Sequence, residues 1–248
     1  MSTRPRALVT GATSDLGGAI ARALAPDWSL TLTGRDGARL TAIATELGAD
    51  AVPGDLTDPA FLAALTAGLH LARADRGSIQ GFVHAAAHRF DYQRFHAVTP
   101  DDAAAQRALD FDAPIALLAA LVPEMMASRH GRIVLVSSLA AQVAGDGATL
   151  YAAHKAGLEG LVRGLAVEYG RFGVTANAVA PGPIETSRLA LRTTPESRAR
   201  LVAATAVRRL ARPEDVASAV AFLMSPAAAH ITGITLPVTG GLHLHTRW

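Results

Sequence analysis

The sequence predicts an α/β protein built on a doubly wound, mostly parallel seven-stranded sheet with helices on both faces. Three observations carry that expectation. Short β-branched runs alternate with longer alanine-rich helical stretches along all 248 residues, five of the seven runs are nearly continuously apolar, and no compositional break divides the chain. Strands buried under helices on both faces need such uninterrupted apolar runs. A β-α-β-α alternation of this length winds into an open sheet that binds ligands at the carboxyl ends of its strands.

Strands are expected at 7–10, 30–33, 51–53, 81–85, 133–137, 174–179 and 234–238, and helices near 16–25, 37–47, 59–75, 101–128, 149–170 and 213–224. In the fourth helix Ile115, Leu118, Ala119, Val122 and Met126 share one stripe, as a core-facing helix requires. The chain reads as one domain, 1–248. An irregular insertion of about 25 residues follows Gly182, too long for an ordinary connection, and 187–212 is therefore the candidate lid.

Composition narrows the function. Apolar residues make up 50% and charged residues 18%, and 22 Gly with 13 Pro are too few for a low-complexity chain. The net charge of +2 does not suggest a nucleic-acid or membrane-surface partner. No cysteine is present, which excludes a disulfide scaffold, a thiol nucleophile and a Cys-ligated metal, and fits a cytoplasmic protein. The N-terminal residues Met1 to Arg6 run into a strand too short for a signal-peptide core. Val216 to Thr246 carries no Asp, Glu, Lys or Arg, but Pro226, His230, Gly233, Pro237, Gly240 and Gly241 break it as a membrane span.

The first strand leaves into Thr10-Gly11-Ala12-Thr13-Ser14-Asp15-Leu16-Gly17, and Ala19-Ile20-Ala21 begin a helix. Glycines at such a turn let the backbone approach a pyrophosphate resting on the helix N-terminus. Alone, the pattern also describes a plain Gly-rich turn. The second strand ends Thr33-Gly34-Arg35-Asp36. An acidic side chain there holds a ribose 2′-hydroxyl, whereas an Arg accommodates a 2′-phosphate. Gly34 followed by Arg35 favours NADP(H) over NAD(H), with a solvated loop cation as the alternative for Arg35. Asp36 reads as a helix N-cap.

Tyr151-Ala152-Ala153-His154-Lys155 lies early on a helix, and i,i+4 spacing puts the phenol and the ammonium on one face. A phenol of ordinary pKa is a poor acid–base group near neutrality, and a neighbouring cation that favours the phenolate is expected to correct this. Most such pairs in proteins are surface pairs. Here the pair follows Ser138 by 13 residues, at the end of a buried strand, where a hydroxyl can hold a substrate carbonyl.

Together with Gly54-Asp55-Leu56-Thr57-Asp58, Gly131 to Ser138, Asn177-Ala178-Val179-Ala180-Pro181-Gly182-Pro183-Ile184-Glu185-Thr186, Arg212-Pro213-Glu214-Asp215-Val216 and the closing Ile231-Thr232-Gly233 and Gly240-Gly241, this ordered set resembles the short-chain dehydrogenase/reductase family across almost the whole chain. It is most similar to the branch of 3-oxoacyl-carrier-protein reductases and related NADPH ketoreductases. The resemblance implies a Rossmann fold and reversible reduction of a ketone, with a 3-oxoacyl thioester among the candidate substrates. It also implies a cofactor site of Gly11, Thr13, Ser14, Asp15, Leu16, Gly17, Arg35, Asp55, Leu56, Ala85, Ala86, Tyr151, Lys155, Pro181, Gly182, Ile184 and Thr186. Asp55 would contact adenine beside the Leu56 backbone, and Pro181, Gly182, Ile184 and Thr186 would hold the nicotinamide carboxamide. Ser138 would orient the carbonyl and Tyr151 would supply the proton. Lys155 would bind the nicotinamide ribose and lower the Tyr pKa.

Three departures stand out. Asp15 replaces a glycine of the phosphate turn; it could cap the helix, and its carboxylate is expected to point away from a pyrophosphate. His84-Ala85-Ala86-Ala87 replaces Asn-Asn-Ala-Gly, with His84 expected as a hydrogen-bonded structural residue. Asp110 stands at the family's catalytic Asn, and Pro114 four residues on leaves the residue-110 carbonyl without its helical partner. That carbonyl, rather than the side chain, is the expected support of a proton relay.

Seven arginines (188, 192, 198, 200, 208, 209, 212) against Glu196 in the lid suggest an anionic substrate handle, such as a carrier-protein or coenzyme A thioester, or else a solvated helix face. Arg129 and Arg171 match a basic zone of carrier-dependent relatives. His243-Leu244-His245 lacks an acidic third ligand, so no metal is expected. The resemblance implies a homotetramer formed through the helix carrying Tyr151 and the one preceding Ser138, where Leu158, Leu161, Val162, Leu165 and Ala166 could serve interface or core. Rival readings are a catalytically weak NADP-binding scaffold or sensor, and an alcohol dehydrogenase working oxidatively.

Overall fold

In a computed structural model, which describes residues 4–88, 92–143 and 145–244, the chain runs β1 (Arg6–Thr10), α1 (Asp15–Leu24), β2 (Ser29–Gly34), α2 (Gly37–Leu47), β3 (Asp50–Pro53), α3 (Pro59–Leu71), α4 (Arg73–Arg76), β4 (Ile79–His84) and α5 (Pro100–Arg107). It continues through a π-helical turn, Ala108–Asp112, into α6 (Ala113–Ser128), β5 (Gly131–Val136), α7 (Thr149–Tyr169), β6 (Val174–Pro181), α8 (Ser187–Ala190), α9 (Pro195–Ala204), α10 (Pro213–Met224) and β7 (Thr235–Val238).

All seven strands are parallel, in the order β3-β2-β1-β4-β5-β6-β7. The order reverses at β1, so the crevice between the carboxyl ends of β1 and β4 is the place where such a sheet takes a ligand. Successive side chains on a strand face opposite ways, which feeds two cores. On one face Val9, Leu32, Val83 and Val134 pack under Ile20 and Leu24 of α1 and Val216, Val220 and Leu223 of α10. On the other, Leu8, Phe82, Ile133 and Leu135 meet Leu117, Leu121 and Met125 of α6 and Leu158 and Val162 of α7. Helix starts are set locally: Ser14, Asp36, Asp58, Thr99 and Thr194 each cap a first-turn N–H.

Two helices depart from expectation. The 59–75 stretch breaks into α3 and α4. The 101–128 stretch contains the π turn, in which the Ala113 N–H reaches back to the Ala108 carbonyl. In that register the Leu109 carbonyl would next pair with residue 114, a proline without an N–H. The expected stripe is realised in part, with Leu118 and Val122 buried. Leu117, Leu121 and Met125 make up the rest of the buried face, whereas Ile115 and Ala119 are exposed and Met126 is half-buried; both faces fit a period of 3.6. The Pro100–Ser128 stretch is long and apolar enough to cross a membrane by length and composition, and here its buried stripe faces the sheet.

His84 braces the switch point. It is fully buried, and its Nδ1 lies 2.9 Å from Thr10 Oγ1, tying β4 to β1. Burial, aided by the nearby Lys155 charge, pushes its pKa down to about 3. Between the ordinary value and 3 the unfolded chain therefore binds a proton that the folded chain refuses, so the contribution is present above pH 6.5 and is lost as the pH falls. His84→Asn is expected to lose about 2–3 kcal/mol less than wild type on going from pH 7 to 4.5, at about 1.4 kcal/mol per pH unit. Urea midpoints at the two pH values measure this; an unchanged acid slope contradicts it.

Two glycines should respond oppositely to alanine. A Cβ on Gly17 would sit 2.1 Å from the Gly11 carbonyl oxygen, whereas one on Gly68, exposed on α3, meets nothing within 4 Å. Gly17→Ala is expected to cost about 2 kcal/mol and lower Tm by about 5 °C. Gly68→Ala should raise Tm by about 2 °C through helix propensity. Thermal melts of the two variants check both signs.

Candidate active site

The β1–α1 turn is shaped by close backbone approach. Gly11 has φ +70°, and a Cβ there would lie 2.6 Å from the Ala86 N, beyond the end of β4. Ser14, not Asp15, caps α1: its Oγ accepts from the Gly17 N–H at 2.9 Å and donates to the Gly11 carbonyl at 2.8 Å. Asp15 turns its carboxylate to residues outside the turn. Its Oδ2 accepts from the Ser187 N–H at 2.7 Å and the Ser187 hydroxyl at 2.8 Å, and its Oδ1 from Arg39 at 3.0 Å. The Ser187 N–H first, then its hydroxyl and Arg39, hold the Asp15 carboxyl below the ordinary range against the opposing effect of burial.

At the end of β2, a Cβ on Gly34 would fall 2.8 Å from Thr13 Oγ1, so an acidic side chain does not fit there while Thr13 keeps its place. The Arg35 side chain is 72% exposed and only 4.0 Å from Asp55. Asp55 accepts from the N–H and hydroxyl of Thr57 at 2.9 and 2.8 Å; the Thr57 N–H is the main reason its pKa lies low. Asp36 is the predicted N-cap, accepting from the Arg39 N–H at 3.0 Å. Leu56 is buried among core residues. Ala85 and Ala86 donate backbone N–H groups to the Thr10 carbonyl and hydroxyl at 3.3 and 3.4 Å.

On the other side of the crevice, β5 delivers Ser138 and α7 delivers Tyr151 and Lys155. Ser138 caps the turn Leu139–Ala141, accepting from the Ala140 N–H at 3.2 Å, and hydrogen-bonds Tyr151. Lys155 is 1% exposed and donates to the Val136 carbonyl at 3.1 Å, with its Nζ 5.7 Å from the centre of the Tyr151 ring. The phenol and ammonium thus share one helix face, as the spacing predicts. Burial lowers the Lys155 pKa, opposed by the Asp110 charge.

The expected lowering of the Tyr pKa is not what the chain itself produces. Burial pushes the Tyr151 phenol up to about 12; the Ser138 hydrogen bond and Arg188 draw it down, and Asp110 adds to the rise. Desolvation wins because the phenolate would be buried with an acidic group nearby. Asp110 itself is fully buried in the π turn. Its Oδ1 accepts from the His88 N–H at 2.8 Å, and its Oδ2 has no hydrogen-bond partner in this structure. The side chain is therefore engaged, where only the carbonyl was expected to matter.

The segment after β6 completes the rim. Gly182 donates its N–H to the Val238 carbonyl at 3.1 Å, Ile184 pairs with Ala211, and Thr186 caps α8 by accepting from the Leu189 N–H at 3.2 Å. The expected irregular lid contains two helices, α8 and α9. Its arginines are partly spent: Arg198 pairs with Glu185, and Arg209 pairs with Asp215 at 2.5 and 2.9 Å. Away from the site, Arg129 donates to the Arg171 carbonyl at 3.1 Å. His243 lies 2.6 Å from Thr239 Oγ1, whereas His245 is outside the described residues; among those described, no cluster fits a metal ion.

The structure brings Ser138, Tyr151, Lys155 and Asp110 together on one side, and Gly11 to Gly17, Ala85 and Ala86 line the switch-point turn on the other. Sequence reasoning missed Glu159, which accepts from Ser137 at 2.8 Å and from Gln142 at 3.3 Å behind the lysine. Its position four residues after Lys155 was the available signal. It also missed Ser187 and Arg39 as partners of Asp15, for which sequence spacing offered none.

A family model described as enoyl-(acyl carrier protein) reductase matches residues 11–243. Nodulation protein G of Rhizobium meliloti (strain 1021) is 35% identical over 245 residues, covering 97% of each chain. A 3-oxoacyl-acyl-carrier-protein reductase of Escherichia coli (strain K12) is 36% identical over 245 residues, covering 96% of this chain and 97% of its own. Among solved structures, a short-chain dehydrogenase/reductase family protein superposes with TM-score 0.87 at 33% identity, covering 99% of this chain and 100% of its own. A gluconate 5-dehydrogenase from Burkholderia cenocepacia J2315, in complex with NADP and tartrate, gives 0.89 at 27% identity, covering 99% and 97%. With the parallel sheet, the glycine turn and the Ser138–Tyr151–Lys155 cluster, these likenesses establish that the chain belongs to the short-chain dehydrogenase/reductase family of oxidoreductases.

Proposed function

We propose that the protein is an NADPH-dependent reductase that converts a ketone to a secondary alcohol, reversibly, with 3-oxoacyl thioesters as the leading substrate class. The observation that carries the reading is the contact of Ser138 with Tyr151 above the buried Lys155. The residues fit the cofactor: no Cβ has room at Gly11, Gly17 or Gly34, and Arg35 is exposed for a 2′-phosphate. When bound, NADPH supplies the hydride. Gly11 to Gly17 would hold its pyrophosphate, Asp55 its adenine, Lys155 its nicotinamide ribose, and Pro181, Gly182, Ile184 and Thr186 its carboxamide.

The chain's own chemistry is proton delivery. Tyr151 carries its proton at neutral pH, but a phenol held near 12 is a weaker acid than an ordinary tyrosine. Donation to a developing alkoxide therefore needs the phenolate to be stabilised as it forms, by the Ser138 hydrogen bond and the Lys155 charge. Ser138 holds the carbonyl oxygen within reach of that proton, the orientation that makes general-acid transfer efficient. The Asp110 carbonyl, whose helical partner four residues on would be Pro114, would anchor water for resupply through Lys155. Support for an anionic substrate handle comes from Arg188, whose charge acts on Tyr151, and from the relative named for an acyl-carrier-protein substrate. Leu161 and Leu165, only partly buried on α7, support assembly into the tetramer that the resemblance implies.

The test is NADPH oxidation with acetoacetyl thioesters against small cyclic ketones, the thioester being the faster. Tyr151→Phe should lose about 10²–10⁴-fold in rate, as removal of a general acid does, and Asp110→Ala distinctly less. Tight NADPH binding with no carbonyl turned over contradicts the enzyme reading. An Asp110→Ala loss equal to that of Tyr151→Phe contradicts the backbone role.

A further inference from the structure

We propose that Asp15 is a positioning residue that latches the Ile184–Thr186 strap onto the phosphate turn through Ser187. The inference rests on the reading above, in which that strap holds the nicotinamide end of the cofactor. Asp15 opens α1 and Ser187 opens α8, 172 residues away, and two Ser187 donors meet one carboxylate oxygen at 2.7 and 2.8 Å.

Apolar cover of α8 is slight, with Leu189 half-buried and the rest of the helix exposed. The helix is four residues long with no buried residue, and Leu191 just beyond it is 88% exposed. So short a helix has no stability of its own. Its order rests largely on polar ties: the Thr186 cap, the pairing of Ile184 and Glu185 with Ala211, the Thr193 hydroxyl on the Leu189 carbonyl, and Asp15. The Ser187 N–H is one of the first-turn donors that a helix leaves unpaired, and the Asp15 carboxylate satisfies it. A charge-assisted hydrogen bond of this kind is stronger than a neutral one, and the Asp15 side chain is only 26% exposed. A glycine, which the resemblance puts at this position, has no acceptor to offer. Ser187 is adjacent to Thr186, so fixing the one fixes the backbone of the other. The strap is thereby ordered before any cofactor arrives. Arg39, on the second carboxylate oxygen, balances the charge at the turn without touching the strap.

Limited trypsin digestion of the full-length, cofactor-free protein tests this, because Arg188 and Arg192 lie in and just after α8. Asp15→Ala is expected to be cut there about tenfold faster than wild type, the change in open population that losing a hydrogen bond to a charged group gives. Asp15→Asn keeps one acceptor oxygen for Ser187 and should be cut no more than about twice as fast as wild type. Arg39→Ala should match wild type. Equal cutting of Asp15→Ala and wild type overturns the latch, as does acceleration spread evenly over all tryptic sites or an Asp15→Asn protein cut as fast as Asp15→Ala. NADPH binding to the same proteins, followed by nicotinamide fluorescence, decides the separate cofactor reading: a wild type that does not bind NADPH overturns that reading, while the digestion decides the latch.

Discussion

A buried ammonium must find acceptors or lose its charge, and the site is arranged around that requirement. Lys155 meets it with the Val136 carbonyl, the face of the Tyr151 ring and the charge of Asp110. The first of these clamps α7 to the end of β5, the second puts the phenol one helical turn away over the same crevice, and the third brings in the π turn. Glu159 extends the clamp by binding Ser137, whose hydroxyl also donates to the Lys155 carbonyl at 3.2 Å. Ser138, next in sequence, inherits its position from this arrangement.

The electrostatics of the site then separate two jobs. Desolvation and Asp110 keep the Tyr151 phenol protonated and oppose a standing phenolate, so proton release has to be helped by Ser138 and the nearby cations. The lysine is the opposite case: burial favours its neutral form and Asp110 favours its charged one. One acidic residue therefore pushes both groups toward their protonated forms. An Asn in its place would carry the hydrogen bond to His88 without that charge, which makes Asp110 more than a spacer.

Much of this was legible in the sequence because it depends on local rules. Most of the strands are nearly continuous apolar runs, Asp36 is a cap by position, and i,i+4 spacing puts Tyr151 and Lys155 on one face. His84 was readable as a braced residue through the family resemblance, because it stands where the family has a residue that braces the sheet. The rest depends on tertiary context. An Ala- and Leu-rich helix fits several stripes equally well, so the buried face of α6 was legible only in part, and the π turn before it left no mark in that spacing. The Asp15–Ser187 contact joins residues with no periodic relation. The pKa of Tyr151 was misjudged because the helical spacing revealed the cation and not the depth of burial, and burial is the larger effect.

The central claim is that the chain alone holds Tyr151 as a protonated, buried donor. Ultraviolet difference titration of the cofactor-free protein, wild type against Tyr151→Phe, tests it directly. The account predicts no ionisation assignable to Tyr151 at or below about pH 10, the ordinary tyrosine value. A tyrosinate that titrates near pH 8 in wild type and is missing from Tyr151→Phe would contradict it.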